Sequence, residues 1–424
     1  MPMSPDFNQR LSRILPDIVA TFGTPFHIYD EAGICDTCDR LNTAFESVAG
    51  FREYFAVKAL PNPAIMTLLF QKGFGFDCSS VPELVLARRV GATGEDIMFT
   101  SNNTTRDQFT KAMDEGGAVL NLDDISLIEK LPATPELICF RYNPGPKRTG
   151  NHIIGNPVEA KYGVSHDQIH TAYETAVRMG IKRFGIHTML ASNELDHTYM
   201  TETADMLLEI VTSLSLKLGI RFEFINIGGG LGIPYNPADR PFDLPALAGG
   251  IARSLEKFRQ AHNWAPRLYM ESGRYITGPH GVLVTTVINH KHIYRNYVGV
   301  DASMSALMRP GIYGSYHHVH IHGKADLPPA GPVDVVGGLC ENNDKFAVQR
   351  PLPETEEGDI LVIHDTGAHG SAMGFNYNGH LRPKELVLRK DGSVGLIRRA
   401  ETMADYFATL DFDPWILPAP NPAR

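Results

Sequence analysis

From Phe51 to Thr277, short apolar runs alternate with amphipathic, helix-length stretches, and this alternation constrains the fold more than any other feature of the chain. Eight runs read as strands: Tyr54 to Val57, Phe74 to Cys78, Asp96 to Thr100, Ala118 to Leu122, Glu136 to Arg141, Arg183 to His187, Arg221 to Ile227 and Arg267 to Glu271. Helical periodicity lies between them, at Pro63 to Lys72, Pro82 to Val90, Arg106 to Glu115, His166 to Met179, Tyr199 to Leu218 and Leu244 to His262. Repetition of this unit predicts an α/β chain folded as a (β/α)8 TIM barrel, spanning residues 34–279. A chain of 424 residues exceeds what one core usually supports, so a second domain is expected. After Gly278 the runs become β-rich, at Val282 to Ile288, Tyr297 to Val300, Val333 to Val336, Asp359 to Ile363 and Glu385 to Arg389, with Gly and Pro turns between. They predict a β-sandwich or β-barrel domain over 280–424, which the opening segment 1–33 joins through the strand Phe26-His27-Ile28-Tyr29.

The balance of 39 basic and 48 acidic residues, a net charge of -9, speaks against a nucleic-acid or anionic-membrane partner and for a small-molecule ligand. Met1 to Thr24 mixes charges and prolines without the apolar core of a secretory signal, and no run reaches the roughly 18 apolar residues of a membrane span, so a cytoplasmic location is expected. Five cysteines suit reduced thiols. Cys35 and Cys38 have metal-pair spacing but no second pair, and are read as thiols on a helix face; His317, His318 and His320 are read as strand alternation, with no metal expected.

In barrels of this kind the chemistry gathers at the C-terminal ends of the strands. There the sequence puts Lys58, Asp77, Arg141, the Gly228-Gly229-Gly230 turn, and Glu271 with Arg274. A lysine on an apolar strand end can become a nucleophile toward a carbonyl. Glycines let backbone N–H groups approach a phosphate closely. A carboxylate facing a pyridine nitrogen keeps it protonated, and an arginine nearby can hold phosphate or carboxylate.

These stretches, with Gly75 to Ser80, Arg141 to Gly145, Ala160 to Gly163, Asn226 to Gly232, Arg309 to Tyr313, Cys340-Glu341 and Asn376 to Asn378, resemble the fold-type III pyridoxal-phosphate (PLP) decarboxylases, most of all diaminopimelate decarboxylases. The resemblance implies an alanine-racemase-like barrel with Lys58 bearing PLP, Asp77 beside that linkage and Glu271 at the pyridine nitrogen. It puts Ser192, Gly229, Gly230, Arg274 and Tyr377 around the phosphate. It further implies a homodimer in which Cys340 and Glu341 complete the partner's site, Cys340 as proton donor, with Lys58 the other candidate. Arg309 and Tyr313 fall to a distal substrate carboxylate and Glu341 to a distal amine, with Arg274 and Tyr377 also near substrate. The expected reaction is decarboxylation of meso-diaminopimelate to L-lysine and CO2.

The chain departs from that family at several points. His187-Thr-Met189-Leu-Ala191-Ser192 stands for the usual His-x-His-x-Gly-Ser, so Met189 occupies the position of the histidine that stacks on the cofactor. Asp301 to Ala306 replaces a glycine-rich stretch, Asn342 follows Cys340-Glu341 where serine is usual, and Gly367-Ala-His369 replaces Gly-Ala-Tyr. They point to a divergent branch. The competing readings are decarboxylation of lysine, ornithine, a carboxylated polyamine or a modified diaminopimelate, a PLP-holding regulator without turnover, and a racemase.

Overall fold

The protein is described by a computed structural model over residues 3–150 and 155–413. Eight parallel strands close into a ring: Arg52–Ala56, Gly75–Cys78, Gly94–Ser101, Ala118–Leu122, Leu137–Asn143, Arg183–His187, Phe222–Asn226 and Arg267–Met270, with the first pairing to the last. All eight predicted runs are strands of this barrel. They are buried almost throughout, which is why they read as continuous apolar runs. One linker differs from the rest. Between the fourth and fifth strands the chain makes only a 3-10 segment, Ile125–Lys130.

Aromatic side chains fill the barrel interior. Tyr54, Phe224 and Tyr269 pack with Met98, Val119, Leu137 and Cys139, with ring centroids of Phe224 and Tyr269 4.4 Å apart. Gly185 makes room for this layer, since a Cβ there would come 2.0 Å from the Phe224 ring. The plug leaves the C-terminal ends of the strands as the open end of the barrel.

The second sheet is mixed and runs in the order Lys345–Leu352, Gly331–Val336, Asn296–Val300, Gly281–His292, Phe26–Asp30, Lys384–Leu388, Val394–Arg398. Phe26–Asp30 lies inside it, antiparallel to Gly281–His292 and parallel to Lys384–Leu388. Pro5–Phe22 is a helix that the sequence analysis leaves unassigned. Ser4 caps it by accepting from the Phe7 N–H, and Phe7, Leu11, Leu15 and Ile18 form an apolar stripe against Phe26, Ile28, Val282, Val284 and Leu386. Ile321 and Val319 belong to a further short strand, where His320 hydrogen-bonds His364 at 2.7 Å.

The mixed sheet leans on the barrel next to Lys58. Asn62 donates to Glu385 Oε2 at 2.8 Å, and the His369 N–H donates to the Ala59 carbonyl at 2.8 Å. No helix of the described residues is long and apolar enough to cross a membrane.

Candidate active site

Strand ends build the site. A small cavity, partly open to solvent, is lined by Lys58, Met189, Ser192, Gly229, Gly230, Glu271, Arg274 and His369, among others. Larger clefts lie elsewhere, as between the helices His197–Leu218 and Leu244–His262, but they bring together no comparable set of groups.

Lys58 sits in a single 3-10 turn just past the first strand, and its side chain is about half exposed, to the cavity, with Nζ 3.6 Å from Asp77 Oδ2. Burial opposes its charge, but the carboxylates of Asp77 and Glu271 outweigh that and hold the ammonium above its ordinary value. Asp77 is buried with Oδ1 unpartnered; burial first, then Glu271, pushes its carboxyl up to about 7.

Glu271 closes the last strand and is the best-held group in the site. Oε1 accepts from Asn226 Nδ2 at 2.8 Å and Oε2 lies 3.2 Å from His187 Nε2. Burial raises its pKa, yet His187, Lys58 and Asn226 together pull it below the usual carboxylate range, so it stays an anion. Asn226 Oδ1 also accepts from the Gly228 N–H at 2.9 Å, tying the glycine turn to the carboxylate. Turn and strand lie too close for side chains: a Cβ on Gly229 would be 2.5 Å from the Glu271 carbonyl oxygen, and Gly230 holds φ +119°.

The strand ends at His187, so strand alternation does not extend to Met189, and the two side chains sit in different surroundings. His187 is buried beneath, on Glu271, whereas Met189 reaches the cavity, its sulfur 3.0 Å from where a Gly228 Cβ would stand.

Two buried guanidinium groups flank Tyr235, and of the two only Arg274 lines the cavity. Arg274 donates to Tyr235 Oη at 2.6 Å and to Ser192 Oγ at 3.3 Å. Arg309 is 5% exposed, donates to Ser315 Oγ at 3.2 Å, and leaves Nε without a partner. Tyr235 joins the two, its hydroxyl on Arg274 and its ring 5.5 Å from the Arg309 guanidinium. Neither arginine forms an ion pair with a described carboxylate. A buried cation so placed is a ready receptor for an anion from outside.

Asp77, Arg309 and the remaining nominated residues do not line this cavity. Tyr377 is 49% exposed, Tyr313 is 55% exposed, and Cys340 and part of Glu341 face solvent, the Cys340 N–H donating to Asn378 Oδ1 at 2.8 Å. Arg141 is instead paired with Asp123. Four contributors went unassigned in the sequence: His187, Asn226, Tyr235 and His369. His187 carried a signal, its place at the end of a barrel strand. Tyr235 carried none, because nothing local announces that its hydroxyl meets an arginine 39 residues on.

A fold with a lysine, a fixed carboxylate and a glycine-lined anion end at the top of a barrel defines a class of cofactor enzyme. Residues 32–278 match the family described as pyridoxal-dependent decarboxylase, pyridoxal binding domain. The chain is 49% identical to Protein TabA of Pseudomonas amygdali pv. tabaci, over 98% of this chain and 97% of that one. It is 35% identical to the diaminopimelate decarboxylase of Methanothermobacter thermautotrophicus, over 92% of each. The crystal structure of diaminopimelate decarboxylase from Methanocaldococcus jannaschii superposes with a TM-score of 0.86 at 31% identity, covering 94% of each chain. This chain belongs to the pyridoxal-dependent amino-acid decarboxylases of fold-type III, as a divergent member.

The residues present fit PLP: a reachable lysine, an anionic carboxylate fixed by two donors, a turn too tight for any Cβ, and Arg274 with Ser192 at the anion end.

Proposed function

We propose that the chain decarboxylates meso-diaminopimelate to L-lysine and CO2, and that the observation carrying this reading is Arg309. A buried guanidinium with no carboxylate partner is costly unless a ligand supplies one, and the distal carboxylate of diaminopimelate would do so. Lysine, ornithine and arginine have no such group.

Bound PLP supplies an electron sink for the pair released as CO2 leaves. Lys58 would hold the cofactor, Glu271 would hold a proton at the ring nitrogen, and Arg274, Ser192, Gly229 and Gly230 would take the phosphate. Asp77 would keep Lys58 Nζ in place. Met189 offers a thioether to the cofactor ring, able to pack but not to hydrogen-bond as imidazole does. Replacing the carboxylate by hydrogen consumes one proton at the α-carbon, from Lys58 Nζ or the Cys340 thiol. Since Cys340, Glu341, Tyr313 and Tyr377 lie on the surface, we propose that a homodimer brings Cys340 and Glu341 to the partner's cavity, with Glu341 toward the distal amine. Tyr313 and Tyr377 belong to the same proposal, toward the distal carboxylate and the phosphate respectively.

Met189 and His369, both in the cavity, favour one second reading, a modified diaminopimelate. The test is CO2 release by the PLP-loaded protein from meso-diaminopimelate, lysine, ornithine and arginine, with products identified by mass. Lysine formed from diaminopimelate alone is expected; turnover of lysine or ornithine in preference would overturn the substrate.

A further inference from the structure

His369 lines the same cavity as Lys58, Glu271 and Arg274, yet it belongs to the mixed-sheet part of the chain rather than to the barrel. Its backbone is held at φ +55°, in the left-handed region that is uncommon for a residue other than glycine. Its N–H is fixed to the Ala59 carbonyl at 2.8 Å, one residue from Lys58. The neighbours make the backbone path plain: Gly367 and Gly370 pack so closely on the Thr277 and Thr366 carbonyl oxygens that neither admits a Cβ. A chain that needed only this turn could use Gly or Asn at 369 at lower backbone cost. Instead an imidazole occupies it, and among the described residues that imidazole has no hydrogen-bond partner. The surrounding charges are Arg274, Arg309 and Lys58, and burial together with these cations keeps the ring neutral, able both to donate and to accept.

Met189 lines the same cavity with a thioether, which cannot donate and accepts only weakly. We propose that His369 contacts the bound cofactor directly, supplying from the mixed-sheet part of the chain the imidazole that barrel position 189 lacks. The proposal rests on the PLP assignment above and not on the identity of the amino acid decarboxylated.

The experiment is therefore a binding measurement. PLP is titrated into the apo form of the full chain and of His369→Asn, His369→Tyr, Met189→His and the Met189→His/His369→Asn double variant, following cofactor absorbance and tryptophan fluorescence. Thermal unfolding of each apo protein is recorded alongside. Asn tolerates left-handed backbone, so the His369→Asn apo protein should unfold at or above the parent temperature while binding PLP about tenfold more weakly, the size of one lost hydrogen bond. Its bound-cofactor absorbance should also shift. The double variant should regain affinity. Parent-like affinity and absorbance in both His369 variants would overturn the proposal, and so would weaker binding that merely tracks a lower unfolding temperature. Failure of the diaminopimelate reading would leave these titrations unchanged, whereas a parent that binds no PLP would sink the assignment beneath both.

Discussion

Replacing Arg309 by methionine should separate substrate recognition from stability. Arg309 is 5% exposed; its visible interactions are one hydrogen bond to Ser315 and the rings of Tyr235 and Tyr313, 5.5 and 6.0 Å away. Burial, the largest influence, pulls its pKa down, which marks a charge held at a cost. A charge-assisted hydrogen bond to a substrate carboxylate is worth roughly 1.5–3 kcal/mol. At about 1.4 kcal/mol per factor of ten, kcat/KM for diaminopimelate should fall about 10- to 150-fold. Stability should not fall with it. Removing a buried cation that pairs with no carboxylate among the described residues strands no anion, and a methionine of similar length keeps contact with the Tyr235 ring. The assay is steady-state CO2 release from diaminopimelate, with thermal unfolding of the same preparation. If kcat/KM for diaminopimelate stays within about twofold of the parent, or if the loss is matched by a lower unfolding temperature, the distal-carboxylate reasoning fails.

Two further changes test the cofactor end. His187→Gln removes a group that holds Glu271 below the ordinary carboxylate range, so the Glu271 pKa should rise and the acid limb of the kcat/KM profile should move to higher pH; an unmoved limb would separate His187 from the chemistry. Gly228→Ala puts a Cβ 2.4 Å from the Thr188 carbonyl oxygen at a backbone φ of +72°, which should cost about 1–3 kcal/mol in unfolding and weaken PLP binding together; a variant as stable as the parent would show that the turn has more room than its geometry implies.

The barrel was legible in local sequence alone. Eight apolar runs bounded by helical periodicity are local signals, and burial of parallel strands on both faces makes each run continuous and hard to misread. The sequence also placed Lys58, the glycine turn, Glu271 and Arg274 at strand ends, because in a barrel the end of a strand is the end of the site. Pro5–Phe22 was equally local, with Phe7, Leu11, Leu15 and Ile18 on one face, but its prolines and charges obscured the stripe. What each group meets follows from the folded chain alone. His187 and Glu271 are 84 residues apart, Tyr235 and Arg274 are 39 apart, and no periodicity encodes such pairings; they exist because neighbouring strands end side by side. The same holds for His369. As sequence it was a departure from a pattern, and as structure it is an imidazole with no hydrogen-bond partner among the described residues, in a left-handed turn that lines the cavity beside Lys58 because the mixed sheet docks on the open end of the barrel.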